Sequence, residues 1–199
     1  MDSLPTLICI PDISGFTQFM SETDLELSGK VIPSLLNKII YSNEIGLKIS
    51  EIEGDAVLFY KNGDLPPFEK LVEQCRYFYT EFYKKMHSLN GEFDDKYKDV
   101  EIPEMLGLKI VLHFGEEVGM VPIGKNIKLM GEDVIAAHRL LKNDISFDEY
   151  ILFSDELIAR YDSNGLHKLD WAHLQRGNLH VEHMGDIGYY YINLEPLVE

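Results

Sequence analysis

Short apolar runs that stop at Pro-Asp or Gly-Asp turns alternate with stretches of helical spacing, and this mixed rhythm restricts the fold more than any other feature. Leu7-Ile8-Cys9-Ile10 ends at Pro11-Asp12, and Ser14-Gly15 precedes a helical pattern carrying Phe16, Phe19 and Met20. That spacing predicts strand, tight turn, helix. A second helix is expected over Lys30 to Tyr41, where Val31, Leu35, Leu36, Ile39 and Ile40 share one face. Lys48 to Glu53 and Ala56 to Tyr60 read as strands joined by Gly54-Asp55, residues that tolerate the positive φ of a hairpin turn.

Phe68 to Met86 predicts a long amphipathic helix whose aromatic stripe is core, and the acid-rich segment Asn90 to Pro103 a solvated excursion. Leu106 to Phe114 and Glu117 to Val121 read as a second hairpin, Gly124 to Gly131 as a glycine-bounded loop, and Asp133 to about Leu141 as a helix. Ile151-Leu152-Phe153 is a strand, with Ser154 capping a helix from Asp155 to Tyr161. Two final strands, about Gly177 to His183 and Gly188 to Asn193, flank a Gly185-Asp186 turn. The regular βαβ rhythm of a doubly wound parallel sheet, about 30 residues per unit, is absent. The expected fold is α+β and ferredoxin-like: a mainly antiparallel sheet with helices on one face, one domain over residues 1–199 with its core at about 7–193.

Charge narrows the partners. Eighteen Lys and Arg against 34 Asp and Glu give a formal net charge of −16, which repels nucleic acid and anionic lipid, so neither is expected as a partner. No apolar stretch is long enough to span a membrane and the first residues lack a basic leader, so a cytoplasmic protein is expected. The two cysteines, Cys9 and Cys75, lack finger or framework spacing and are expected to be buried thiols.

Asp12 ends the first strand and Asp55 sits at a hairpin tip, an arrangement in which both can reach one site. Two carboxylates about 4 Å apart repel by roughly 4 kcal/mol at an effective dielectric near 20, so a cation or a shared proton must accompany them. Mg²⁺ suits such a pair, since it takes one or two carboxylates and leaves other positions to water and phosphate. A helix cap for Asp12 and a turn role for Asp55 are the structural alternatives.

The surrounding text decides between them. Asp12-Ile13-Ser14-Gly15-Phe16-Thr17 and Gly54-Asp55-Ala56-Val57-Leu58-Phe59 resemble the class III nucleotidyl cyclase catalytic domain. The resemblance continues in order through Leu112-His113-Phe114-Gly115, Gly119, Gly124, Gly131 to Leu140 and Ile151 to Ser154. It implies a homodimer with sites at the subunit interface, a nucleoside triphosphate substrate and two metal ions, Mg²⁺ or Mn²⁺. It implies Asp12, Asp55 and the backbone carbonyl of Ile13 as metal ligands, and Ser14, Gly15, Phe16 and Thr17 as a phosphate-binding turn. Arg139 of the partner subunit matches the arginine that stabilises the transition state. Glu51 and Lys128 fall at the base-selecting positions, and their opposite charges suggest a pair across the interface.

Two departures bear on turnover. Ile135 stands where the family has a transition-state asparagine, and the hairpin His183-Met184-Gly185-Asp186-Ile187 lacks the family's triphosphate lysine. Losing one preorganised donor costs about 10²- to 10³-fold in rate. Lys125, Lys128 and His138 are the candidate substitutes. The readings are therefore a cyclase, a catalytically impaired nucleotide-binding or regulatory module, or a dimerising domain with an empty cleft. The remaining histidines, His87, His113, His167, His173, His180 and His183, show no zinc-site spacing and are expected to be structural or on the surface.

Overall fold

The computed structural model describes residues 2–92, 102–162, 169 and 171–197. Eight strands form one sheet in the order β2-β3-β1-β4-β6-β8-β7, with β5 paired to β4 off this path. The strands are β1 (Asp2–Ser14), β2 (Lys48–Glu53), β3 (Ala56–Asn62), β4 (Gly107–Ile123), β5 (Asn126–Met130), β6 (Tyr150–Ser154), β7 (Gln175–Val181) and β8 (Gly185–Asn193). Every pairing is antiparallel except β4 with β6. The helices are α1 (Phe16–Glu22), α2 (Leu25–Tyr41), α3 (Phe68–Glu92), α4 (Ile102–Met105), α5 (Glu132–Leu140) and α6 (Asp155–Ile158).

Alternation along β1 divides the core. Leu7 and Cys9 face the larger cluster, which takes in Phe19, Leu35, Phe78 and Phe82 from α1, α2 and α3. Ile8 and Ile10 face the other way, onto Val134 and Ala137 of α5. Helices thus cover both faces, which corrects the one-face expectation. The sequence pattern of α5 concealed this, because its nine residues bury only Val134, Ala136, Ala137 and Leu140. Cys9 and Cys75 are buried free thiols, as expected.

Four further expectations are corrected. Leu106 to Phe114 and Glu117 to Val121 are not a hairpin but parts of the single strand β4, whose later half pairs with β5. Gly124 to Gly131 is therefore largely strand; Leu129 is buried and Ile127 half-buried on one side while Asn126, Lys128 and Met130 stay exposed. The final hairpin turns through Glu182, His183 and Met184, one step before the expected Gly185-Asp186, with Val181 opposite Gly185 and His183 itself at φ 70. Helix α6 is also shorter than expected, ending at Ile158. Of the acid-rich excursion, residues 93–101 lie outside the described residues, as does His167; Ile102 begins α4 and is buried.

Candidate functional site

Strand pairing brings Asp12 and Asp55 together. Asp12 lies opposite Ala56 in the β1–β3 ladder, and the Ile13 amide donates to the Asp55 carbonyl oxygen at 3.0 Å, so the hairpin tip is tied to the end of β1 by main chain. Asp12 is 9% exposed, and burial pushes its carboxyl up to about 6. The charges of Asp55 and Glu53 push the same way, and the Lys109 ammonium, 3.2 Å from Oδ2, opposes them. Lys109 lies directly opposite Asp12 in the β1–β4 ladder. It is the site residue the sequence reading missed; a lone lysine inside an apolar strand was the available signal.

These donors fit a divalent cation, because a buried carboxylate faces two further acids with a single ammonium to balance them. Among the described residues no three His, Cys, Asp or Glu side chains converge on a metal, so the protein's share would be two carboxylates and main-chain oxygen.

Behind this point the chain turns at Gly15, whose φ of 77 and close approach to the Met105 carbonyl oxygen, 2.0 Å from where a Cβ would stand, exclude any side chain. Phe16 is half-buried and Thr17 exposed. The Ser14 hydroxyl donates to the Asp148 carbonyl at 2.6 Å, so this turn offers its backbone rather than the serine side chain. A cavity of about 360 Å³ opens on its far side, where Tyr83 and the buried Glu149 meet. Tyr79 and Tyr83 both donate to that carboxylate, which burial pushes above its usual range.

The remaining expected residues gather on a second feature. Lys128, Ile135, Arg139, His183 and Met184 line one groove of about 750 Å³, walled mainly by apolar side chains. Ile135 and Arg139 are four positions apart on α5 and so share a face. Ile135 is 53% exposed there, an apolar side chain that can donate no hydrogen bond.

Glu51 and Lys128 do pair, but within one chain, which corrects the expected pairing across the interface. Lys128 Nζ lies 2.9 and 3.2 Å from the two Glu51 oxygens. The reason is Ser50, whose hydroxyl donates to the Ile127 carbonyl and accepts from the Leu129 amide, fastening β5 over β2. Among the candidate substitutes, Lys128 is thus engaged, Lys125 is exposed at the β4–β5 turn, and His138 stands 3.8 Å from Glu53, too far for a hydrogen bond. His113 is a satisfied buried imidazole, with Ser154 Oγ at 2.9 Å from one ring nitrogen and Asp133 Oδ1 at 3.3 Å from the other.

The sequence pattern of the family described as "Protein of unknown function (DUF2652)" matches residues 32–150, more than half of the chain. The chain belongs to this family. This DUF2652 chain is 33% identical over 132 residues to "Uncharacterized protein Rv2561/Rv2562" of Mycobacterium tuberculosis (strain ATCC 25618 / H37Rv), a match over 62% of this chain. It spans 57% of that relative's length. Among solved structures, the guanylyl cyclase Cya2 superposes with a TM-score of 0.73 at 18% identity, over 98% of this chain and 95% of that one. The adenylyl cyclase CyaB from P. aeruginosa does so with a TM-score of 0.69 at 18% identity, over 96% and 94%. The DUF2652 chain therefore has the fold of class III adenylyl and guanylyl cyclase catalytic domains. Among its described residues no helix is long and apolar enough to cross a membrane.

Proposed function

We propose that this chain binds a nucleoside triphosphate with Mg²⁺ or Mn²⁺ at the seam between two copies and closes it to a 3′,5′-cyclic nucleotide, the 3′-oxygen losing its proton as it bonds to the α-phosphorus and the bond to the β-phosphate breaking to release pyrophosphate. The observation that carries this reading is the main-chain tie that sets Asp55 beside a buried, charge-crowded Asp12. In the proposal these carboxylates and the Ile13 carbonyl would hold the metal, which would supply acidification of the ribose hydroxyl and neutralisation of phosphate charge. Lys109, freed from Asp12 by the incoming cation, is left to face phosphate, and the backbone of Ser14 to Thr17 lines the same end. The second copy brings its groove, with Arg139 for the α-phosphate and the Glu51–Lys128 pair beside the base.

A second reading, binding without turnover, is favoured by one observation: Ile135 puts an apolar side chain beside Arg139 where a hydrogen-bond donor would serve the transition state. Calorimetry with nonhydrolysable nucleoside triphosphates and Mn²⁺, then mass spectrometry of products from the natural triphosphates, separates the two. Cyclic product supports the enzyme, binding alone selects the module, and no binding of any triphosphate removes both. Sedimentation with and without nucleotide tests the second copy.

A further inference from the structure

We propose that a small cavity between the end of α5 and β7 is an anion subsite, where Lys142 holds the far end of a polyphosphate whose near end meets Arg139. The inference rests on the reading of Arg139 as a phosphate-facing group. The cavity is about 190 Å³ and is lined by Arg139, Lys142, Leu179, His180, Val181 and Glu182. That is small for a nucleoside, since pockets for organic ligands run from about 300 Å³ upward, but a phosphate group needs less. Arg139, Val181 and Glu182 also line the large groove, so the guanidinium stands where the two spaces meet.

The local chain sets the cations side by side. The Lys142 amide donates to the Arg139 carbonyl at 2.9 Å, continuing the last turn of α5 and keeping the residues, three apart, on one side. In this acidic chain the cations of Lys38, Lys84, Lys109, Lys128 and Arg176 each hold a carboxylate. Arg139 and Lys142, both exposed, hold none among the described residues, as Lys48, Lys61 and Lys125 also hold none, but these two line one cavity. The negative end of α5 explains why cations are tolerated there. It does not explain why two of them line the same space. His180 adds a ring whose Nδ1 is occupied by Asp186 at 2.6 Å. Glu182 is the acid on the wall; its side chain is 90% exposed, with Oε1 3.7 Å from His183 Nε2. Guanidinium forks and ammonium point charges are the usual partners of phosphate oxygens.

The test titrates the full chain, without metal, with inorganic tripolyphosphate, which has no base to bind elsewhere. The unaltered chain is expected to bind it, and Lys142→Gln to weaken binding about tenfold, a change of roughly 1.4 kcal/mol. Lys48→Gln, on the exposed face of β2, is expected to change nothing. Absence of binding to the unaltered chain, or equal losses in the two variants, overturns the subsite. Tripolyphosphate binding that needs Lys142, in a chain that binds nucleotides no better than tripolyphosphate, keeps the subsite and defeats the nucleotide reading. Nucleotide binding indifferent to Lys142→Gln does the reverse.

Discussion

The two halves of the candidate site are built by different means. Around Asp12 and Asp55 the geometry is set by backbone ladders: β1 lies between β3 and β4, the Asp12–Lys109 contact joins register partners, and the Ile13–Asp55 bond lies one residue from the Asp12–Ala56 pair. Around Ile135 and Arg139 the geometry comes from side chains on α5, β5 and the β7–β8 hairpin, which meet on a mostly apolar wall. The first half sets a buried carboxylate beside two further acids and one ammonium; the second carries Lys128, Glu132, Arg139 and Glu182 around a mostly apolar wall and leaves Ile135 exposed.

The sharpest way to break this contrast is at Asp55. Asp55→Ala is expected to reduce Mn²⁺-dependent triphosphate binding by more than about 100-fold in calorimetry, because one carboxylate and main-chain oxygen seldom hold such an ion alone. Retained binding would move the metal elsewhere. On the other half, Ile135→Asn restores a donor beside Arg139, and product formation is expected to rise by about 100-fold. An unchanged trace would mean that the deficit lies in the lysine-free hairpin instead.

Smaller effects follow from the burial of Asp12. Its folded-state pKa of about 6 exceeds the ordinary value of 3.8, so the apo fold holds this proton more tightly than the unfolded chain does. The contribution to stability therefore grows as pH falls through 6 and flattens near 4; at neutral pH the ionised group costs on the order of 3 kcal/mol. Lys109→Met removes its counter-charge and should cost about a further 2 kcal/mol at pH 7.5, less than for a fully buried pair because both groups are partly exposed. At pH 5 the loss should nearly vanish, and equal losses at both pH values in denaturant titrations would place the effect in packing. Metal binding must displace the same proton, so Mn²⁺ affinity is expected to fall about tenfold per unit below pH 6. A flat affinity profile from pH 7 to 5 would remove Asp12 from the ligand set.

The smallest effect is expected at the rim. Glu51→Lys and Lys128→Glu should each shift relative affinity among bases a few-fold, and the double reversal should restore the pair, since exposed ion pairs direct specificity more than they stabilise. Additive losses in the double variant would show two independent surface charges.

How much was legible in the sequence follows the same division. Asp12 and Asp55 were found through the motif text around them, since spacing alone left a helix cap and a turn role open; Pro11-Asp12 does not stop β1, which runs on to Ser14. Lys109 was missed: its place as a lone lysine in an apolar strand marked it, but its partner lies on a remote strand and nothing local marks the register. β5 was concealed for another reason: its alternation is present but short, and its flanking glycines read as a loop. β4 was split at Glu116 and Glu117, two exposed acids that interrupt an apolar run without ending the strand. The chain-internal pairing of Glu51 and Lys128 depends on Ser50, a hydroxyl standing in for a neighbouring strand, and no periodicity announces that substitution.

The ammonium already seated on Asp12 also sets the terms on which any visitor is admitted. Exchange is favourable only for an ion that brings more charge than the one it evicts. If the proposed metal site holds, sodium and potassium gain little by entering, and the Lys109 ammonium sorts monovalent from divalent ions alongside ligand number and radius.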